Sequence, residues 1–208
     1  MYRFQHILSE LNLDQADSAV VQQSSLFTHF THCSELYFSH VQEHLHARED
    51  YPMDDDILLP TQTEVAAEKL SKVISDNYKG YRGTSTELLI KEGHQLKFLL
   101  GQIKEHEIDL VIVGREPHSP TSRKLPIKLA RKAPCSILIV PEDVHDEITS
   151  IVVPIDFSHH AKDAVEEAVN LAIATKLESI TLLHLFKLPS GYSKNGKCEE
   201  EFCEIMRK

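Results

Sequence analysis

No apolar run in this 208-residue sequence approaches the roughly 20 residues that a membrane-spanning helix needs. No apolar stretch of the secretory kind follows Met1-Tyr2-Arg3-Phe4-Gln5-His6, so no signal peptide and no membrane partner are expected. Cysteine is scarce. Cys33, Cys135, Cys198 and Cys203 form neither a CxxC motif nor a dense framework, and a reducing, cytoplasmic setting is expected. Positive charge is also short. Lys and Arg number 22 against 32 Asp and Glu, a net charge of −10, which excludes a general nucleic-acid surface. No Ser-His-Asp set, nucleophile elbow or metalloprotease motif is present. No catalytic residue is therefore assigned, and a non-enzymatic role is expected. What remains is globular: 41% of residues are apolar and 26% charged, unlike a disordered chain. The length is awkward, since single domains commonly hold about 100–150 residues.

Short β-like runs alternate with helical stretches. Residues 4–11, 36–41, 84–91, 108–113 and 136–140 are strand candidates. The run from Ile108 to Val113 is nearly all apolar, as in a parallel strand covered on both faces. Helical spacing marks residues 16–30 and 94–106. A further helix starts at Thr61 or Thr63 and ends at Gly80 and Gly83, and a short basic one runs from Thr121 or Ser122 to Lys132. Residues 42–60, which include Asp54-Asp55-Asp56, read as a surface loop. Strict alternation predicts an α/β fold: a parallel sheet with helices on both sides.

The chain then repeats itself. Ile7-Leu8-Ser9-Glu10-Leu11-Asn12 aligns with Ile151-Val152-Val153-Pro154-Ile155-Asp156. Leu36-Tyr37-Phe38-Ser39-His40-Val41 aligns with Ile180-Thr181-Leu182-Leu183-His184-Leu185, and the offset is 144 in both cases. The helix between them, residues 161–175, repeats residues 16–30 with a slip of one. A second β-α-β therefore begins near Ile148, after the acidic segment 142–147. Residues 1–145 are expected to form one complete domain. Residues 146–208 are expected to form the N-terminal part of a second, with the start of another helix at 198–208.

Three segments carry a family resemblance. Ile151-Val152-Val153-Pro154-Ile155-Asp156-Phe157-Ser158 resembles the opening of a universal stress protein domain. Asp109-Leu110-Val111-Ile112-Val113-Gly114 resembles its fourth strand, and Ala133-Pro134-Cys135-Ser136-Ile137-Leu138-Ile139-Val140-Pro141 its closing strand. The arrangement is similar to the tandem-domain type, with an incomplete second domain. The resemblance implies a doubly wound five-stranded parallel sheet of order 3-2-1-4-5. Its switch point lies between the ends of the first and fourth strands, where ligands of open α/β sheets bind.

Nucleotide-binding members of that family carry an Asp after the first strand, which contacts adenine. They carry Gly-x2-Gly-x9-Gly-Ser/Thr after the fourth, where glycines and helix-start amides receive phosphate. Here Asn12 stands in the Asp position, Gly114 alone matches the first glycine, and Pro117 replaces the second. The candidate nucleotide positions are Asn12, Val41, Gly114, Thr121 and Ser122, with Asp156 and Ser158 in the second copy. Asp156 or Ser158 can equally cap the helix that follows. Arg115, Ser119, Arg123 and Lys124 surround a helix start that could hold an anion, or they form a solvated basic face. The resemblance thus implies a stress-response protein acting through protein association, without the usual nucleotide site in its first domain. The alternative is an adenine-nucleotide sensor with ATP as ligand. Family domains pair through the fifth strand, so a homodimer through a sheet edge is expected, with a further protein partner unidentified.

His40, His44 and His46, near Glu43 and Glu49, have metal-ligand chemistry. His40 is matched by His184, however, which points to a structural role at the strand's end, and no metal site is assigned. Cys33 and Cys135 read as small core residues.

Overall fold

Residues 4–42, 61–115, 124–144 and 147–185 are described by the computed structural model. The segments holding His44, His46, Asp54-Asp55-Asp56, Thr121, Ser122 and Cys198 lie outside them. The chain divides between Glu147 and Ile148 into two units.

In the first unit strands and helices alternate in the order β1 (His6–Glu10), α1 (Asp17–Thr31), β2 (Glu35–Gln42), α2 (Gln62–Asn77), β3 (Ser85–Glu92), α3 (Gln95–Glu105), β4 (Leu110–Arg115), α4 (Lys124–Lys132) and β5 (Ser136–Pro141). The five strands form one parallel sheet of order β3-β2-β1-β4-β5. β1 is its centre, with Ile7 opposite both Leu36 of β2 and Leu110 of β4.

Side chains alternate across this sheet. Leu8, Tyr37, Val111 and Val113 face α3 and α4 and form one apolar core with Leu99, Ile103 and Leu129. The other face meets α1. There Ser9 and Ser24 are fully buried with their hydroxyls 2.7 Å apart. Ser24 Oγ also donates to Val20 O, so the proton between the two serines comes from Ser9. Gly114 lets α1 approach β4: a Cβ there would stand 2.9 Å from Ala16 Cβ and 3.3 Å from Val20 Cγ2.

One boundary differs from the sequence reading. α2 starts at a Thr61 capping box closed by Glu64, but it stops at Asn77, before either glycine. Tyr78 takes an extended conformation instead. A Cβ at Gly80 would collide with the Tyr78 ring, so that glycine makes room for Tyr78 to pack edge-on against Phe38, with centroids 5.8 Å apart.

The second unit holds β6 (Val152–Ile155), α5 (His159–Thr175) and β7 (Thr181–His184), with β6 and β7 parallel. Among its described residues, Val153, Ala168 and Ala172 are the buried apolar ones. The slip of one between the repeated helices is not kept at their carboxyl ends. His32 and Lys176, 144 apart, are both left-handed C-caps. Thr31 and Thr175, also 144 apart, donate back to Phe27 O and Leu171 O. The repeat also keeps the histidine contact: His40 Nδ1 lies 2.8 Å from Leu11 O, and His184 Nδ1 lies 2.8 Å from Ile155 O.

Gly114→Ala should cost about 1–3 kcal/mol through overpacking. Adding Ala16→Gly should recover most of that loss, because position 16 is the N-cap, where glycine is well tolerated. Urea unfolding of both variants checks this. Equal losses in the two would show that Ala16 is not the obstacle.

Candidate functional site

The carboxyl ends of β1, β2 and β4 bring Asn12, Val41 and Gly114 to one end of the first sheet. Thr121 and Ser122 lie outside the described residues. Asp156 and Ser158 belong to the second unit and serve its own turn. Asp156 Oδ1 accepts from Ser158 N at 3.0 Å, and Ser158 Oγ caps α5 by accepting from Ala161 N at 3.2 Å. Val41 is buried, and Gly114 packs against α1.

The dominant group at the switch point is Glu10, the last residue of β1 and only 1% exposed. Asn12 Nδ2 donates to its Oε2 at 2.7 Å. Gln95 Nε2, from the first residue of α3, donates to its Oε1 and to Asn12 Oδ1, the latter at 2.8 Å. The three side chains close a ring in which every contact joins a donor to an acceptor. A carboxyl is what closes it. A glutamine at position 10 would set its NH2 against a donor, and turning Asn12 or Gln95 over only moves the mismatch to another contact.

Burial pushes the Glu10 carboxyl up to about 8, although the bonds from Gln95 and Asn12 pull the other way, and the charges of Asp17 and Asp14 add to the rise. Asp17, 3% exposed at the start of α1, accepts from Asn12 N at 2.8 Å. Burial raises it to about 6. Asp14 Oδ1 accepts from Ala16 N at 2.8 Å. On β2, Ser39 stands opposite Glu10 in register, fully buried and, among the described residues, with no hydrogen-bond partner for its hydroxyl.

Reasoning from sequence passed over Glu10, Asp17 and Gln95. One signal was available: Glu10 is a charged residue inside an apolar strand run, where a carboxylate is seldom buried without a partner.

Elsewhere the chemistry is quiet. Cys33 donates its thiol to Gln5 O and Glu35 O at 3.2 and 3.0 Å. Burial pushes the thiols of Cys33 and Cys135 up to about 11, so neither is a ready thiolate at neutral pH. Among the described residues no group of three His, Cys, Asp or Glu is placed to hold a metal. No helix among them is long and apolar enough to cross a membrane.

The fold is that of universal stress proteins. A structure described as a universal stress protein from Pseudomonas aeruginosa matches over 98% of this chain and 68% of its own, with a TM-score of 0.56 and 18% identity. A universal stress protein solved in complex with cAMP matches over 67% of this chain and 98% of its own, with a TM-score of 0.46 and 16% identity. A universal stress protein from Lactobacillus plantarum matches over 66% and 98%, with a TM-score of 0.41 and 17% identity. No protein-family model matches the sequence, and no curated protein matches it. Identity this low carries the fold, and function has to be argued from the site.

The raised carboxyls set a sign for stability against pH. Between their unfolded and folded values the folded chain keeps protons that the unfolded chain releases, so stability falls as pH rises. The window runs from 3.8 to about 6 for Asp17 and from 4.5 to about 8 for Glu10. Glu10 alone should account for roughly 5 kcal/mol across its window. Glu10→Gln, although it forfeits one ring contact, should flatten the decline between pH 6 and 8. Urea unfolding at intervals from pH 5 to 9 reads the slope, and parallel wild-type and variant curves would refute the assignment.

Proposed function

We propose that this chain is a universal-stress-type protein that serves a stress response through protein association, without the usual nucleotide contact in its first unit. The observation that carries this reading is the closed ring at the switch point. Asn12 stands where the family's adenine-contacting Asp would be, and its side-chain amide is engaged at both ends, with Glu10 and with Gln95. Asp14 and Asp17 add negative charge at the same place, which disfavours an incoming phosphate. Gly114, which matches the first glycine of the phosphate loop, has a packing reason of its own against Ala16.

Association is drawn to β5. Among the described residues this strand pairs with β4 alone, and Ile139 is 42% exposed. Edge strands recruit other strands when nothing blunts them. A second copy of the chain is the proposed partner, and the protonated thiols of buried Cys33 and half-buried Cys135 suit a cytoplasmic setting.

The rival reading is ATP bound at the carboxyl ends of β1 and β4. Calorimetric titration with ATP and Mg²⁺ separates the two. No heat up to millimolar ATP is expected, and saturable binding would reject the proposed reading. Light scattering at tens of micromolar should show a dimer, and Ile139→Lys should shift it toward monomer. A wild-type chain that stays monomeric would remove the sheet-edge association.

A further inference from the structure

We propose that the ring of Glu10, Asn12 and Gln95 is a proton-operated latch: it holds the first turn of α3 against the end of β1 while Glu10 is protonated, and it lets water into the crevice when Glu10 ionises. The geometry carries the argument. Glu10 is 1% exposed, and no cation among the described residues is paired with it, so its charged form is shut off from water and has no counter-charge among them.

The ring is also where the start of α3 is held. His94 precedes that helix without a side-chain cap, and the first helical bond, Phe98 N to His94 O at 3.0 Å, is backbone alone. Gln95, the first helical residue, ties the turn to Glu10 of β1 and to Asn12 just beyond it. Hydrating an ionised Glu10 requires this tie to loosen, because the carboxyl is 1% exposed behind the amides of Gln95 and Asn12, and water has no other access to it. Ser39, buried opposite Glu10 with an unmet hydroxyl, gives an entering water a second partner.

The surrounding charges favour the proton. Asp17 of α1 and Asp14 of the turn before it oppose a negative Glu10. On β2 the register neighbour is Ser39 and on β4 it is Val113, both uncharged. His40 of β2 lies on the opposite face, bonded to Leu11 O. His94 and Lys97, beside Gln95, and Arg115, at the end of β4, are exposed. Burial, which raises the carboxyl to about 8, places the transition close to neutral pH.

Hydrogen exchange on the whole chain tests the latch. From pH 7 to pH 9, after correction for intrinsic exchange, protection at the amides of Phe98 and Leu99 should fall about tenfold more than protection in the middle of α1. In Glu10→Gln that difference should vanish, because the amide does not ionise. An equal pH response in wild type and variant, or a uniform loss across α1 and α3, would overturn the proposal. A carbon-13 titration of the wild-type carboxyls guards against a variant that folds poorly. A Glu10 midpoint above pH 7 supports the latch, and one in the ordinary carboxylate range rejects it.

Discussion

β1 is bonded along both edges, to β2 and to β4, and its side chains meet helices on both faces. Nothing along such a strand reaches water until the strand ends. Ile7, Leu8 and Ser9 comply: two are apolar, and the third places its hydroxyl against Ser24. Glu10 sits two residues before the first exposed position, Asn12, and remains at 1% exposure. A carboxylate in that position would be costly without partners. The two donors that close on it and the proton that burial retains are the two ways of meeting that cost, and they work against each other. Hydrogen bonds favour the charged form, while burial and the charges of Asp14 and Asp17 favour the neutral one. The switch point is therefore governed by a balance that a change of pH can tip.

The two copies show how little of this the backbone dictates. Leu13 and Phe157, 144 apart, both take the left-handed conformation, at φ 60 and φ 62, although neither is glycine. The histidine at the end of the second strand of each copy makes the same contact at the same distance. The chain path is shared, and the side chains that hold it are not. In the first copy Asp17 accepts from Asn12 N and Asp14 from Ala16 N. In the second, Asp156 and Ser158 receive the turn and helix amides. Amides at a helix start need an acceptor, and different residues supply it. An Asp matching a family position is thus weak evidence of a ligand when its oxygen already holds a backbone N–H of its own turn.

Periodicity carried most of the fold, because the inner strands are apolar runs, the edge strand β3 still holds Leu88-Leu89-Ile90, and the helices between them have one apolar face. The order of the strands came from resemblance, since alternation fixes adjacency in the chain but not in the sheet. The missed details have particular causes. Gly80 reads as a helix stop, but Tyr78 ends α2 by turning extended, and the glycine serves the tyrosine ring. The one-residue slip between the repeated helices does not survive in the structure: their starts, Asp17 and His159, are 142 apart, and their ends coincide in the 144 register. At the site, Asn12, Val41 and Gly114 were placed by analogy with a family pattern. Glu10 was invisible to that analogy, because position 154, its equivalent in the copy that keeps the pattern, is a proline.

That proline bears on the strand edge. Thr181 N donates to Ile151 O, so the odd-numbered residues of β6 bond toward β7, and Val152 and Pro154 point their backbone groups to the other side. In the first copy the equivalent groups of Leu8 and Glu10 face β4. Proline has no N–H to offer there. Any strand placed beside β6 as β4 is placed beside β1 would find one ladder bond missing, a net loss of about 1 kcal/mol. Proline is tolerated where a strand edge needs no donor, and it discourages indiscriminate pairing. The first copy, with Glu10 in that place, recovers the donor for β4 and acquires a side chain that has to be buried. The carboxyl at the switch point and the continuity of the central sheet are therefore consequences of the same residue.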